Sequence, residues 1–153
     1  MTGPAPHNAP LLTFLCTGNS CRSQMAEAWA RELFGDVLQI ASAGTLPHGI
    51  NPLAAQVMDE AGVSIRHHAS KHIDSLPPAA LLITVCDHAH ETCPVAPCAR
   101  RMHAPFRDPP RMAASCDTQS EVLNAYRIVR DEIRAFVTRL PESAPELFRG
   151  GSR

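Results

Sequence analysis

The fold is decided by residues 11–23, LLTFLCTGNSCRS. Leu11 to Leu15 is an apolar run too short for a helix, and the Gly18-Asn19 turn after it predicts a buried parallel strand. From Arg22 to Phe34 apolar residues recur on one helical face, and Gly35 stands where helices commonly end in a left-handed cap. The stretch therefore predicts a strand, a loop and a helix in direct succession.

The rest of the chain continues this alternation. Three further segments predict strands: Val37–Ser42, Leu81–Val85 and Arg101–Ala104. Two more predict helices: one capped by Asn51 with Pro52 first and Gly62 after its end, and one with apolar residues from Val122 to Leu140 behind a Thr118–Glu121 capping box. Alternating strands and helices predict an α/β fold with a four-stranded parallel sheet flanked by helices. Ligands of such sheets bind at the carboxyl ends of the strands, where Cys16, Cys86 and the segment after Ala104 should converge.

Length and composition bound the possible functions. The 153 residues predict a single catalytic domain, with flexible ends at residues 1–10 and 142–153, where prolines and glycines concentrate. A net charge of -1 with 44% hydrophobic residues excludes a disordered chain and a strongly basic nucleic-acid binder. No apolar run approaches the roughly 18 residues that cross a bilayer, and residues 1–10 do not resemble an export signal. We therefore expect a cytoplasmic monomer with neither nucleic-acid nor membrane partners.

The loop between the first strand and helix has the residues of an oxyanion site. Cys16 and Arg22 are separated by five residues, and a loop that enters a helix N-terminus points backbone N–H groups and the helix dipole at an anion. Arg22 adds a planar fork for two anion oxygens. The predicted substrate-binding residues are Thr17, Gly18, Asn19, Ser20, Cys21 and Arg22.

The same loop predicts a nucleophile. A helix N-terminus and a nearby cation favour the thiolate form of a cysteine, so Cys16 is expected to be charged at neutral pH, and Ser23 can donate a hydrogen bond to it. Asp108 lies before two prolines that stiffen the backbone, and it can protonate a leaving oxygen. The alternative is that Cys16 only ends a buried strand, that Arg22 only opens a solvated helix and that Asp108 belongs to a turn.

At this point the sequence resembles the low-molecular-weight tyrosine phosphatase superfamily, and more closely its thioredoxin-coupled arsenate reductase branch. The resemblance is carried by Leu15–Glu27, Ser42–Gly44, Gly49–Pro52, Val85-Cys86, Cys93-Pro94, Asp108-Pro109 and Arg130–Ile133. It implies the low-molecular-weight phosphatase fold, with Cys16 as nucleophile, Arg22 as anion clamp, Ser23 as thiolate stabiliser and Asp108 as general acid. It also implies arsenate as substrate, with phosphate or sulfate as competing oxyanions.

Cys86 and Cys93 distinguish a reductase from a phosphatase. Reducing arsenate takes two electrons, which a second thiolate provides by attacking the sulfur that carries the arsenic. Cys86 is placed for that attack, and Cys93 follows seven residues later in a polar segment that can pass the disulfide outward. The resemblance supports this order and implies reduced thioredoxin as the electron donor, with no tightly bound cofactor. Charge and composition leave mycothiol or glutaredoxin open.

Other roles for the cysteines remain open from sequence alone. Six cysteines in a cytoplasmic protein are nucleophiles, redox relays or metal ligands rather than a disulfide framework. A zinc site is one alternative, although the spacing lacks the usual zinc-binding pairs; its ligands would come from Cys86, His88, His90, Cys93, Cys98 and His103. Inert buried thiols are another. Cys98 and Cys116 are predicted to be surface thiols.

The sequence departs from the resemblance at one cation site. Some reductases of this branch bind potassium beside the loop, through residues that match Asn19, Glu27 and Ser42 and two positions that are Ala69 and Lys71 here. The potassium site is therefore predicted to be lost. Our hypothesis is that the Lys71 ammonium replaces the metal and pairs with Glu27.

Two other functions compete with arsenate reduction. A tyrosine phosphatase needs aromatic walls for a phenyl ring, whereas Trp29 and Tyr126 fall on predicted helices away from the loop and only Phe106 is near it. A non-catalytic thiol sensor would carry a DNA-binding helix pair or a basic face, and neither is visible. The sequence favours the reductase.

Overall fold

Four parallel strands form the sheet of the protein, in the spatial order β2-β1-β3-β4. A computed structural model describes residues 3–87 and 96–149. The strands are β1 Leu11–Cys16, β2 Gln39–Gly44, β3 Ala79–Thr84 and β4 Cys98–His103. Because β2 and β3 lie on opposite sides of β1, the carboxyl ends of β1 and β3 flank the switch point at which such sheets bind ligands. The predicted four-stranded parallel sheet is confirmed.

Helices flank this sheet and enclose its core. They are α1 Arg22–Phe34, α2 Pro52–Glu60, α3 Pro109–Ala113, α4 Gln119–Thr138 and α5 Leu140–Ser143, with short 3-10 turns at Ile73–Ser75 and Pro145–Leu147. The long helix α4 packs against α1, α2 and α3. Asn51 caps α2 by accepting hydrogen bonds from the amides of Leu53 and Ala54, and Thr118 and Glu121 form the predicted capping box of α4. No helix in the described ranges is long and apolar enough to cross a membrane.

The element boundaries differ from the predicted ones at several points. Strand β2 begins at Gln39 rather than Val37, because the amides of Val37 and Leu38 both donate to the carbonyl of Phe34 and prolong the turn after α1. Gly35 is in the right-handed region, with φ of −65°, so the predicted left-handed cap is wrong. Strands β3 and β4 also begin earlier than predicted, at Ala79 and Cys98.

Individual side chains near both ends, where flexible segments were predicted, contact the rest of the domain. Leu147 is buried, and the ring of Phe148 lies edge-on to that of Phe34 with 4.9 Å between centroids. At the other end, the Gln39 side chain donates to the carbonyls of His7 and Ala9.

Candidate active site

A cleft of about 800 Å³ opens at the carboxyl ends of β1 and β3. Cys16 is the last residue of β1, and Cys86 follows β3 by two residues. Leu15 of β1 pairs with Thr84 of β3, so the two strands leave the sheet side by side, about 4.8 Å apart. All of the predicted substrate-binding residues except Asn19 line this cleft. Its full lining is Cys16, Thr17, Gly18, Ser20, Cys21, Arg22, His48, Asn51, Cys86, Asp87, Phe106, Arg107, Asp108, Pro110, Arg111 and Met112.

The loop between β1 and α1 is held from its outer side. The carbonyls of Thr17, Gly18 and Ser20 accept hydrogen bonds from the amides of Leu46, His48 and Asn51, respectively. Asn19 has a φ of 46°, a left-handed conformation that an asparagine tolerates. A loop whose carbonyls are bound in this way keeps its amides available for an anion, as in a nest at a helix N-terminus.

A chain of hydrogen bonds fixes which group donates to Cys16. The Asn19 Nδ2 group donates to Ser23 Oγ at 2.9 Å, so the proton of Ser23 is left for Cys16 Sγ, also 2.9 Å away. The backbone amide of Lys71 donates to Asn19 Oδ1 at 2.9 Å, which sets the orientation of the Asn19 amide. Cys16 is therefore the acceptor, and a thiolate is the form that this arrangement stabilises. The thiol is buried at the base of the cleft.

The same chain continues to a buried carboxylate. Asn19 Nδ2 also donates to Ser42 Oγ at 2.9 Å, and Ser42 donates to Glu27 Oε1 at 2.6 Å. Glu27 is 4% exposed, and a buried carboxylate needs a partner. That partner is Arg31, whose Nε lies 2.8 Å from Glu27 Oε2 and whose Nη2 donates to the carbonyl of Ile40 at 2.6 Å.

The Lys71 hypothesis is therefore wrong. The Lys71 ammonium donates to the carbonyl of Ala69 at 3.2 Å in an exposed position and forms no ion pair with Glu27. Arg31 already lies one helical turn from Glu27, on the same face of α1, so the i,i+4 pair forms locally. Lys71 supports the loop through its backbone amide instead.

Arg22 and Asp108 meet at the mouth of the cleft. Arg22 Nη1 donates to the carbonyl of Phe106 at 2.9 Å, and Nη2 lies 3.5 Å from Asp108 Oδ1. Asp108 precedes α3, which begins with Pro109, as the sequence predicted for a stiffened turn. These contacts bring the three predicted groups Cys16, Arg22 and Asp108 to one cleft.

Two further cysteines belong to this region: Cys21 lies within the loop, and Cys86 lies beside it. Cys86 Sγ is 3.5 Å from Thr17 Oγ1, so the second predicted thiol borders the nest rather than standing apart from it. Burial raises the pKa of the Cys21 thiol far above its usual range, and the nearby Cys16 adds to that effect. Cys21 therefore remains a thiol and does not compete as a nucleophile.

The predictions that involve residues 88–95 fall outside the described residues. This applies to Cys93 and to His88 and His90 of the zinc alternative. Within residues 3–87 and 96–149 no group of three or more His, Cys, Asp or Glu side chains is arranged to hold a metal ion. Cys98 and Cys116, which were predicted at the surface, are half-buried.

Several residues at the site were missed by the sequence analysis. His48 packs on Gly18 so closely that a Cβ at Gly18 would lie 2.1 Å from its Nε2 atom. His68 has a 5% exposed side chain between Gln24 and Glu27. His103 bonds to Thr84 and Asp87 beside Cys86. Only the i,i+4 spacing of Glu27 and Arg31 offered a signal in the sequence, because the histidines are brought to the site by loops and by the end of β4.

Known proteins resemble this chain in sequence and in fold. The profile of a family described as low molecular weight phosphotyrosine protein phosphatase matches residues 11–150. A protein of Halalkalibacterium halodurans named arsenate reductase is 44% identical over 129 residues, which is 82% of this chain and 91% of that protein. A solved structure titled "An arsenate reductase in the phosphate binding state" superposes with a TM-score of 0.72 at 25% identity, covering 88% of this chain and 98% of that one. A Corynebacterium glutamicum thioredoxin-dependent arsenate reductase shares the fold, with a TM-score of 0.64 at 23% identity over 91% of this chain and 63% of that one.

Proposed function

Because the chain belongs to the low molecular weight phosphotyrosine protein phosphatase family, we propose that it is an arsenate reductase in which Cys16 attacks arsenate and Cys86 resolves the adduct. The family resemblance inferred from the sequence is confirmed, and the named relatives support the reductase over the phosphatase. The single observation that carries the proposal is the position of Cys86 Sγ, 3.5 Å from Thr17 Oγ1 in the loop that begins at Cys16. A phosphatase has no use for a thiol there.

The first step uses the groups shared with phosphatases. The loop amides and Arg22 hold arsenate, and the Cys16 thiolate attacks arsenic and forms a sulfur–arsenic bond. An oxygen leaves as water after Asp108 provides a proton. Ser23 holds the thiolate in position until the attack, because its own proton is directed at Cys16 Sγ.

The second step reduces arsenic. The Cys86 thiolate attacks Cys16 Sγ, and the electron pair of the sulfur–arsenic bond stays on arsenic, which leaves as arsenite. Arsenic is reduced from +5 to +3 while the two thiols become a Cys16–Cys86 disulfide. The hydroxyl of Thr17 supports this step because it is within reach of Cys86 Sγ and can donate to the thiolate.

Regeneration completes the proposed cycle. Cys93 attacks the Cys16–Cys86 disulfide and forms a new disulfide with Cys86, which reduced thioredoxin then opens by thiol–disulfide exchange. The support for Cys93 is its place in the sequence, seven residues after Cys86, and the motif it shares with the reductase branch. Residues 1–153 act as one catalytic domain in this scheme, which needs neither a second subunit nor a tightly bound cofactor.

The scheme also predicts which ions matter. Phosphate and sulfate have the tetrahedral shape and charge of arsenate, so they compete for the loop. Potassium is not required, because the Arg31 guanidinium already neutralises the buried Glu27 carboxylate. The positive charge of the Arg31 side chain thus takes the place of a bound metal cation beside Glu27.

A coupled assay tests the proposal. The pure protein is incubated with arsenate, thioredoxin, thioredoxin reductase and NADPH, and arsenate-dependent loss of NADPH is followed. Wild type is expected to turn over, Cys86→Ser and Cys93→Ser are expected to lose turnover, and the matched controls Cys98→Ser and Cys116→Ser are expected to keep it. Full NADPH oxidation by Cys86→Ser or Cys93→Ser would refute the relay.

Hydrolysis of p-nitrophenyl phosphate provides the internal control. It needs the nucleophile, the clamp and the general acid but no second thiol, so Cys86→Ser should retain it while arsenate reduction is lost. Hydrolysis without any arsenate-dependent oxidation in wild type would indicate a phosphatase instead. Phe106 is the only phenylalanine, tyrosine or tryptophan among the described residues that line the cleft, so a phenyl ring has little to stack on.

A further inference from the structure

A hydrogen-bonded row crosses the ends of two strands beside Cys86. Thr84 is the last residue of β3, and its Oγ1 lies 2.7 Å from Nδ1 of His103, the last residue of β4. On the other side of the ring, His103 Nε2 lies 2.8 Å from Oδ1 of Asp87. We call Thr84, His103 and Asp87 the clasp. It uses no group of the loop that holds the oxyanion.

The clasp anchors the chain immediately after Cys86. On the preceding side, the Val85 amide donates to the Leu15 carbonyl at 2.9 Å, and the Val85 carbonyl accepts from the Phe106 amide at 3.0 Å. On the following side, His103 holds the carboxylate of Asp87. Cys86 thus lies between Val85, which is bonded on both sides of its peptide, and Asp87, whose exposed side chain bonds to His103. Its sulfur reaches Thr17 from that position.

The clasp holds in either protonation state of the ring. In a neutral imidazole, Thr84 donates to Nδ1 while Nε2–H donates to Asp87. In an imidazolium, Nδ1–H donates to Thr84 Oγ1, whose own proton then faces the Met102 carbonyl at 3.5 Å. The bond to Asp87 is made from Nε2 in both cases. A side chain at position 103 therefore needs a donor at the place of Nε2.

We propose that His103 is a positioning residue for Cys86: through Asp87 it holds the resolving sulfur beside Thr17, from where that sulfur attacks the sulfur of Cys16. This inference rests on the proposed function, because it concerns the second step of that reaction. Among the described contacts, the His103 ring bonds to Thr84 and Asp87 and not to the oxyanion loop or Cys16, so its proposed effect on the reaction runs through the chain at residues 86 and 87. Misplacing a reacting atom by about 1 Å can cost about 100-fold in rate.

The test isolates the step in which Cys86 attacks. In a Cys93→Ser parent the reaction stops at the Cys16–Cys86 disulfide, so one equivalent of arsenate should consume two thiols and release one arsenite. In the same background, His103→Ala is expected to slow that single turnover by about 10- to 100-fold. Its p-nitrophenyl phosphate hydrolysis should stay within about twofold of the parent, because this reaction makes no use of Cys86.

Conservative variants and a matched control separate positioning from folding. His103→Gln keeps an amide donor near the place of Nε2 and should recover much of the rate. Adding Asp87→Ala to His103→Ala should cause little further loss, because both changes break one bond. His72→Ala removes a comparable His–Asp contact, 3.5 Å from Asp74 and outside the cleft, and should leave both reactions unchanged.

The outcomes distinguish this inference from the proposed function. If the Cys93→Ser parent consumes no thiols with arsenate, the proposed function fails. If the parent reacts and His103→Ala reacts at the same rate, only the positioning role is overturned. A parallel loss of phosphate-ester hydrolysis in His103→Ala also overturns it, because the residue would then support the whole site rather than Cys86.

Discussion

Arg31 Nε lies 2.8 Å from Oε2 of Glu27, and this pair closes the hydrogen-bond chain that begins at Cys16. Glu27 is buried while the Arg31 side chain is 52% exposed, so the cation reaches in from the surface to neutralise a carboxylate of the interior. Ser42 donates to Glu27 and accepts from the Asn19 amide, which also donates to Ser23. The Glu27–Arg31 pair on α1 thereby fixes Ser23 as the hydrogen-bond donor to Cys16 Sγ.

Replacing Arg31 with methionine should weaken both folding and catalysis. The Glu27 carboxylate would be left buried with Ser42 as its remaining hydrogen-bond donor, at a cost of about 2 kcal/mol in the free energy of unfolding. We expect a lower urea midpoint and slower arsenate reduction. Lys71→Met is the matched control: within residues 3–87 and 96–149 its ammonium donates only to the exposed Ala69 carbonyl, so its loss should change neither quantity.

The same pair predicts indifference to potassium. Replacing sodium chloride with potassium chloride at equal ionic strength should leave wild-type turnover unchanged. In Arg31→Met the Glu27 carboxylate lacks its cationic partner, so this variant can bind a potassium ion there. A large stimulation of wild type by potassium would contradict this account. So would a Lys71→Met variant as unstable as Arg31→Met.

Gly44 should tolerate a methyl group far less than Gly18. A Cβ at Gly44 would lie 2.5 Å from the carbonyl oxygen of Thr17 and 2.9 Å from the amide nitrogen of Asn19, so it would push the backbone of the oxyanion loop. A Cβ at Gly18 meets the His48 ring, which can swing away. We expect Gly44→Ala to lose about 1–3 kcal/mol of stability and most of its activity.

The comparison has a built-in control. Gly18→Ala combined with His48→Ala removes the obstructing ring, so the double variant should be more stable than Gly18→Ala alone. Thermal unfolding and p-nitrophenyl phosphate hydrolysis measure both effects. Equal losses in Gly44→Ala and Gly18→Ala would show that the loop backbone is not the sensitive element.

Much of this site was predictable because its signals are local. The loop from Cys16 to Arg22, the Asn51 cap and the capping box at Thr118 each depend on residues a few positions apart, so the sequence alone indicated them. Asp108 needed the resemblance as well, since an Asp-Pro step is often only a turn. A feature could be predicted from the sequence when all of its residues lie within one element or its adjoining loop.

The rest depends on tertiary contacts that no spacing shows. Lys71 was predicted to pair with Glu27 because it matches a potassium-binding position of the related reductases. In the fold its ammonium is exposed, and Arg31 pairs with Glu27 instead. His103 meets Asp87 only because β4 pairs with β3 in one particular register. Strand β2 begins two residues later than predicted because the amides of Val37 and Leu38 bond to the Phe34 carbonyl in the turn after α1.

Asp108 should be required for both the proposed reduction and ester hydrolysis. It lies 3.5 Å from Arg22 at the mouth of the cleft, where its proton can reach an oxygen that leaves the bound anion. Asp108→Asn keeps the shape but has no proton to give, so p-nitrophenyl phosphate turnover should fall by about 100- to 10,000-fold. Asp117→Asn, an exposed residue outside the cleft, serves as control, and a loss of less than threefold in Asp108→Asn would exclude the acid role.

His68 should make the protein less stable in mild acid. Burial of its side chain lowers the pKa of His68 below the ordinary 6.5, although the nearby Glu27 carboxylate opposes that shift. His68 therefore binds a proton less readily in the folded state than in the unfolded state. Stability from this residue is complete above about pH 6.5 and declines as the pH falls toward the lower pKa of the folded state, by at most about 1.4 kcal/mol per pH unit.

Asparagine at position 68 provides the comparison for that pH dependence. Its amide nitrogen takes the place of Nδ1, the atom through which His68 bonds to Gln24 at 2.8 Å, but it does not titrate. The unfolding free energy of wild type relative to His68→Asn should therefore fall between pH 7.5 and pH 5.5, while contributions from all other groups cancel in the difference. Urea denaturation at several pH values measures it. A difference that stays flat, or rises as the pH falls, would mean that the attraction of Glu27 outweighs the cost of burying a charged imidazole.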